Sequence, residues 1–202
     1  AGRVPNRIVL DADRGLIVNS FANSLTVFSL REPVRRSDIA VGSGANPWDV
    51  AVVRRGGVTR ALVTCFLRNS LAVIRLDGIG GRVEREIALT NGCRPEGIAS
   101  DGTNAWIAMS GWNFSTGGYD SGRLAVLVLT NDDVGLWAES GAVAVDANPQ
   151  VVLYDAAMRR MHVLSTGRNG RNEGAVNVFS AATMTLAGRI AVGGSPQALT
   201  LD

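Results

Sequence analysis

The chain alternates short apolar segments with polar turns from one end to the other. One stretch contains, in order, apolar segments at residues 50–53, 61–65, 71–74 and 87–89. The turns between such segments are rich in Asp and Gly, which favour tight hairpin turns. No segment keeps an apolar period of about 3.6 residues, so the pattern predicts short β-strands and almost no helix.

The same order of segments recurs along the chain. Similar segments begin at Pro5, Pro47, Pro95, Pro149 and Pro196, with spacings of 42, 48, 54 and 47 residues. They read PNRIVLD, PWDVAVV, PEGIASD, PQVVLYD and PQALTLD. This period is typical of the four-stranded blades of a β-propeller. It predicts one all-β domain over residues 1–202 that forms an incomplete propeller ring. The four predicted blades span residues 5–46, 47–94, 95–148 and 149–195, and residues 196–202 are the predicted first strand of a fifth blade.

The motifs of the repeating unit indicate which type of propeller repeat is present. Pro-x-x-Val-Ala-Val begins at Pro47, and Ala-Leu-Val-Thr, Asn-Ser-Leu-Ala-Val-Ile and Ile-Ala-Val-Gly occupy 61–64, 69–74 and 39–42. Together they resemble the YVTN family of β-propeller repeats, although the turn at 53–57 departs from it and blades 3 and 4 carry insertions. The resemblance implies antiparallel blades whose first strands line a central channel. It also implies about seven blades, with the rest of the ring C-terminal to Asp202 or from another chain.

Candidate binding residues follow from this architecture. Residues next to the prolines should encircle the channel mouth, and a polar ring there is the best site hypothesis. The ring consists of Asn6, Arg7, Trp48, Asp49, Arg94, Glu96, Gln150 and Gln197. On the same face the long loop 110–122 carries Trp112, Phe114 and Tyr119, which favour ligand or partner contact. The alternatives are a solvated channel entrance without a ligand and aromatic side chains that only cap blade 3.

The sequence offers little catalytic or cofactor chemistry. His162 is the single His, so a zinc site or a Ser-His-Asp triad within the chain is not expected. No haem attachment motif is found, and we expect no cofactor. Asp11-x-Asp13-x-Gly15 lacks the later ligands of a calcium loop and predicts a hairpin turn. Cys65 and Cys93 both lie toward one face, so they form either one disulfide or two free thiols.

Charge and hydropathy exclude some partners. The 20 basic residues are all Arg and are scattered, with a formal net charge of +2, so nucleic acid is not an expected partner. No apolar run approaches the ~20 residues that span a bilayer, and no signal peptide is recognised.

Two functional hypotheses remain. The first is a non-enzymatic propeller, bacterial and periplasmic or extracellular, that binds a protein or small molecule. The second is the propeller portion of a lactonase-like or haem-associated enzyme, whose catalytic residues lie outside this segment. Only fold analogy supports the second hypothesis, so a binding role ranks above catalysis.

Overall fold

The computed structural model describes residues 3–201 and consists almost entirely of antiparallel β-sheet. Blade 1 contains β1 (Pro5–Asp11), β2 (Arg14–Asn19), β3 (Ser24–Ser29) and β4 (Arg36–Ala40). Blade 2 contains β5 (Pro47–Arg55), β6 (Val58–Cys65), β7 (Ser70–Asp77) and β8 (Gly80–Ala88). In each blade the strands pair in chain order, and the first strands of successive blades pack side by side.

Blades 3 and 4 follow the same plan with longer connections. Blade 3 contains β9 (Pro95–Ser100), β10 (Asn104–Met109), β13 (Gly122–Val128) and β14 (Ala138–Val145). The loop before β13 forms a small hairpin of β11 (Trp112–Asn113) and β12 (Gly118–Tyr119), and a 3-10 helix spans Val134–Leu136. Blade 4 contains β15 (Pro149–Asp155), β16 (Arg160–Ser165), β17 (Gly174–Ser180) and β18 (Leu186–Gly193). The all-β fold of four antiparallel propeller blades is therefore confirmed.

The core is divided into layers between neighbouring blades. Strand β7 shows the principle: Leu71 and Val73 pack toward blade 3, whereas Ala72 and Ile74 pack toward blade 1. Successive side chains of a strand point to opposite faces, so a blade with neighbours on both sides needs apolar residues at every position. This requirement explains the continuous apolar segments seen in the sequence.

Each first strand begins with the same backbone irregularity. The residue before each of the five anchor prolines has a positive φ, between 47° and 60°: Val4, Asn46, Arg94, Asn148 and Ser195. The register with the second strand then shifts immediately after the proline in all four blades. Bulges of this kind redirect side chains, and they are common beside functional sites. Here the residues that follow Pro5, Pro47 and Pro149 line one shared cavity.

The segment predicted as the first strand of a fifth blade has no strand pairing in residues 194–201. In the four blades each first strand pairs with the second strand of its own blade, and no strand within residues 3–201 pairs with this segment in that way. The segment nevertheless keeps other features of its repeat position. Ser195 has a positive φ, and Leu199 packs against Leu164, Val176 and Val178 on the outer face of blade 4.

Candidate functional site at the channel mouth

Six of the predicted mouth residues line one cavity of about 240 Å³, together with Val151. They come from the bulged starts of blades 1, 2 and 4 and from the C-terminal segment: Asn6, Arg7, Trp48, Asp49, Gln150 and Gln197. Because every contributing residue is the first or second after an anchor proline, the repeat itself builds the cavity. We call this set the mouth cavity.

An ion pair between blades forms one side of the mouth cavity. The Arg7 Nε atom lies 3.2 Å from Asp49 Oδ1. Asp49 is buried, and its two carboxylate oxygens accept hydrogen bonds from the backbone N–H groups of Val50 (2.7 Å) and Ile98 (3.2 Å). Burial raises the pKa of Asp49, while Arg7 and the backbone donors oppose that rise. The carboxylate thus joins blades 1, 2 and 3 and neutralises the charge of Arg7.

Carboxamides supply the remaining polar groups of the mouth cavity. Gln150 donates through Nε2 to Asn148 Oδ1 (3.4 Å), and Gln197 donates through Nε2 to the carbonyl oxygen of Ser195 (3.1 Å). Neither Oε1 atom has a hydrogen bond within residues 3–201. These two residues are the only glutamines in the chain. Each Nε2 atom uses one of its two N–H groups in these bonds, and both side chains keep an acceptor oxygen without a hydrogen bond in the described chain.

Glu96 occupies the equivalent post-proline position in blade 3 but does not line the cavity. Glu96 is 2% exposed, and its Oε2 atom has no hydrogen-bond partner among the described residues. Burial raises the pKa of Glu96 to about 8, against the lowering effect of the Ser110 hydroxyl. Burial raises the pKa of Tyr119, and so does the negative charge that Glu96 carries above its own pKa. A hydrogen bond with the Asn148 side chain has the opposite effect on the pKa of Tyr119. Glu96 therefore holds its proton at neutral pH beneath the hairpin that carries Tyr119.

The aromatic residues of the long loop form a second group beside the mouth. Trp112 makes edge-to-face contacts with Phe114 and Tyr119, at centroid distances of 6.1 and 4.9 Å. The Arg94 guanidinium lies over the rings of Phe114 (4.7 Å) and Phe66 (5.9 Å). Its Nη1 donates to the carbonyl oxygen of Leu67 at 2.9 Å. Arg94 thus links the hairpin of blade 3 to blade 2.

The structure therefore separates the predicted residues into two adjacent groups with Glu96 buried close to the hairpin. Phe66 was not among them, although it stacks on Trp48 at 5.5 Å and faces Arg94. Asn148 was also missed, and it contacts Gln150. The signal for Asn148 was present in the sequence, because it directly precedes an anchor proline, as Arg94 does.

The two cysteines are not bonded to each other. Cys65 is buried in the layer between blades 1 and 2, and burial raises the pKa of its thiol to about 11. Cys93 lies beyond blade 2, with Sγ 4.0 Å from the carbonyl oxygen of Trp112. Since their side chains pack against different blades, the bridge that the sequence left open is not formed.

A larger cavity of about 560 Å³ lies between the outer parts of blades 3 and 4, but its charged groups pair with each other, as Arg189 does with Asp146. Across residues 3–201 no group of three or more His, Cys, Asp or Glu side chains is placed to hold a metal ion. Within the same range no helix is long and apolar enough to cross a membrane.

Comparison with known proteins relates the fold to solved structures. A hydrazine synthase of Kuenenia stuttgartiensis matches with 19% identity and a TM-score of 0.74, over 94% of this chain and 49% of the other. The periplasmic gluconolactonase of Pseudomonas aeruginosa matches with 15% identity and a TM-score of 0.69, over 97% and 56%. The dihydro-heme d1 dehydrogenase NirN matches with 15% identity and a TM-score of 0.66, over 96% and 39%.

The fold is that of a β-propeller. At these identities the likeness concerns the fold alone, and the chain spans about half or less of the length of each matched structure. No protein-family profile and no curated protein sequence matches the chain. The propeller's function therefore has to be argued from the mouth cavity.

Proposed function

We propose that the chain is a non-enzymatic binding propeller that takes a ligand in the mouth cavity. The observation that carries this proposal is the convergence of post-proline side chains from three blades and the C-terminal segment on one concave surface. Small-ligand sites are typically concave and combine a few convergent polar groups with apolar walls. Trp48 and Val151 supply the apolar walls here.

A thermal-shift screen with neutral, anionic, cationic and apolar small compounds tests this proposal. Each compound that stabilises the protein is then titrated calorimetrically into the wild type and the variants Arg7→Ala and Gln150→Ala. We expect both variants to weaken binding by about tenfold or more, because each removes a polar group facing the ligand. Asn172→Ala, which removes a carboxamide from the larger cavity, is the matched control.

Compounds that bind equally well to the wild type and to both mouth variants would contradict the proposal. Loss of binding in Asn172→Ala alone would move the site to the outer groove between blades 3 and 4. Melting curves of the unliganded variants separate loss of binding from loss of folding. Within the described chain the Gln150 side chain has no buried charged partner, so we expect Gln150→Ala to melt close to the wild type, whereas Arg7→Ala should melt lower because it leaves the buried Asp49 without its cation.

A second candidate function is the propeller portion of an enzyme. Glu96 favours it, because a buried carboxyl group that keeps its proton at neutral pH is suited to general acid chemistry. Similar structures include a gluconolactonase and a haem-related dehydrogenase. An assay of glucono-δ-lactone hydrolysis, monitored through the proton that the reaction releases, provides the test. Activity that Glu96→Gln abolishes would favour this candidate, and absence of turnover above the spontaneous rate would leave binding as the function.

We further propose that the repeat is of the YVTN type and that additional blades complete the ring. The repeated positive φ before each proline and the shared bulge support one repeat type throughout. The exposed Ile8 and Leu10 side chains on the outer face of blade 1 support additional blades. An extracytoplasmic location is proposed on the likeness to a periplasmic gluconolactonase, and fractionation of expressing cells tests it.

A further inference from the structure

The groups in the mouth cavity specify the chemistry of its ligand. Acceptors are available at Gln150 Oε1 and Gln197 Oε1, which have no hydrogen bond within the described chain. Arg7 and Trp48, whose side chains carry N–H donors, line the same cavity. An anion needs mainly donors and a cation mainly acceptors, whereas a hydroxyl group uses both at once. The mixture therefore fits a ligand with several hydroxyl groups.

The charge balance of the mouth cavity points in the same direction. Among the described residues that line it, only Arg7 and Asp49 are ionisable, and the Arg7 Nε and Asp49 Oδ1 atoms lie 3.2 Å apart. The two charges cancel, and Asp49 is further engaged by two backbone N–H groups. A charged ligand would have to leave water without finding an unpaired counter-charge, which is costly. A neutral ligand avoids this penalty.

Size and apolar surface limit the ligand further. The cavity volume of about 240 Å³ lies just below the usual range for drug-sized ligands. Trp48 offers an indole whose partner ring, Phe66, stacks on it at 5.5 Å. Aromatic rings of this kind pack against the C–H faces of compact ligands while polar neighbours bind the rim. The cavity thus suits one small ring with an apolar face and a hydroxylated edge.

We propose that the mouth cavity binds a neutral polyhydroxylated ligand about the size of one sugar ring. This inference rests on the proposed binding function and specifies its ligand class. The contacts divide by role: Gln150 and Gln197 accept hydrogen bonds from hydroxyl groups, and Arg7 donates to a hydroxyl oxygen without losing Asp49. Trp48 lies against the ring.

Calorimetric titration with probes of matched size tests the ligand class. The neutral probes are D-glucose, D-galactose and myo-inositol, and the charged probes are D-gluconate and D-glucosamine. We expect at least one neutral probe to bind about tenfold or more tightly than both charged probes, since a charge gains no free partner there. Gln150→Leu and Gln197→Leu should each lower the affinity for that probe by about fivefold or more, because each removes one hydrogen-bond acceptor.

The control variant is Asn172→Leu, which makes a comparable change in the other cavity and should leave the affinity within about twofold. Arg7→Gln provides a second arm, because it leaves the Asp49 carboxylate without its cation. We expect this variant to weaken binding of the neutral probe by about fivefold or more, because it removes the guanidinium donors at the cavity. Circular dichroism confirms that each variant folds before its titration is interpreted.

Three results would overturn the inference. A charged probe that binds more tightly than every neutral probe, and loses affinity in Gln150→Leu, would refute the ligand class while supporting binding at the mouth. A neutral probe that binds both Gln variants as tightly as it binds the wild type would show that the sugar binds outside the mouth cavity. If no probe binds the wild type, the ligand class is wrong, and the thermal-shift screen decides independently whether the mouth cavity binds another class.

Discussion

Glu96 is the residue whose environment differs most from that of its repeat equivalents. The corresponding positions hold Asn6, Trp48, Gln150 and Gln197, and all four line the mouth cavity. Glu96 is buried instead, and its Oε2 atom lacks a hydrogen-bond partner in the described part of the chain. An unpaired carboxylate would be costly there, so burial raises the pKa of Glu96 to about 8 and the side chain is mainly protonated at pH 7.

The raised pKa of Glu96 predicts a characteristic pH dependence of stability. Between its usual value of 4.5 and its folded value of about 8, the unfolded chain releases the proton and the folded protein keeps it. Rising pH therefore favours the unfolded chain over this window. We expect Glu96→Gln to match the wild type at pH 4.5 and to exceed its free energy of unfolding at pH 8.5 by on the order of 4 kcal/mol.

Urea unfolding at pH 4.5, 6.5 and 8.5 measures this difference, with Glu32→Gln as an exposed control. If the free energy of unfolding has the same pH dependence in the wild type and in Glu96→Gln, the assignment of a neutral Glu96 is contradicted. A larger loss of stability at pH 4.5 than at pH 8.5 in the variant would also contradict it.

Gly97 is required by the close approach of two first strands. A Cβ atom at this position would lie 2.5 Å from the carbonyl oxygen of Gln150 and 3.0 Å from Val151 Cα. Both neighbours are backbone atoms, which cannot move aside as a flexible side chain can. The packing of blade 3 against blade 4 at the channel therefore depends on the missing side chain.

Gly97→Ala should lower the free energy of unfolding by about 1–3 kcal/mol, because it overpacks this contact. Gly188→Ala is the matched control, since its Cβ would meet no atom within 4 Å and its φ is not positive. Chemical denaturation of both variants checks the prediction. Equal stability of the two variants would show that the first strands can separate at no cost.

At the scale of elements, the hairpin of β11 and β12 depends on a residue outside it. Arg94 stacks between Phe66 and Phe114 and donates to the carbonyl oxygen of Leu67. A planar guanidinium can stack and hydrogen-bond at the same time, whereas an ammonium group cannot present a flat face. Arg94 therefore holds the hairpin against blade 2.

Arg94→Lys should preserve the charge and the fold but loosen the hairpin. We expect amide exchange in residues 111–120 to accelerate by about fivefold or more, the equivalent of losing one modest contact. Hydrogen–deuterium exchange with mass spectrometry provides the measurement. The exposed substitution Arg36→Lys serves as control, and unchanged exchange in the 111–120 peptide would show that the ring stacking does not restrain the hairpin.

At the scale of the whole molecule, the two terminal blades expose surfaces that internal blades bury. On the outer face of blade 1, Ile8 is 57% exposed and Leu10 is 66% exposed, and on blade 4 Ile190 is 56% exposed. Equivalent faces between internal blades form the apolar layers of the core. Exposed sheet faces of this kind favour association.

The 202-residue chain by itself should therefore self-associate through these faces. We expect the double variant Ile8→Ser/Leu10→Ser to raise the monomer fraction measured by analytical ultracentrifugation, because it removes apolar area from the interface. Val34→Ser is the control, since Val34 is 91% exposed on the turn between β3 and β4, away from the blade face. An unchanged monomer fraction in the double variant would exclude blade 1 from the contact.

The sequence by itself determined the repeated element. Strands with apolar residues on both faces bury them only between two neighbours, and the regular prolines mark where each blade begins. The repeat also placed Asn6, Arg7, Trp48, Asp49, Gln150 and Gln197 at equivalent positions, and the structure gathers these six around one cavity. Local pattern was sufficient because each blade is a meander of consecutive strands.

Only the tertiary structure decided how the blades make use of those positions. The burial of Glu96 and the position of Arg94 over the rings of Phe66 and Phe114 both depend on how blades 2 and 3 pack against their neighbours. The separation of Cys65 from Cys93 likewise follows from the blade layer into which each side chain packs. Such contacts join residues far apart in the chain, and their geometry depends on how the sheets pack around the axis rather than on any local sequence pattern.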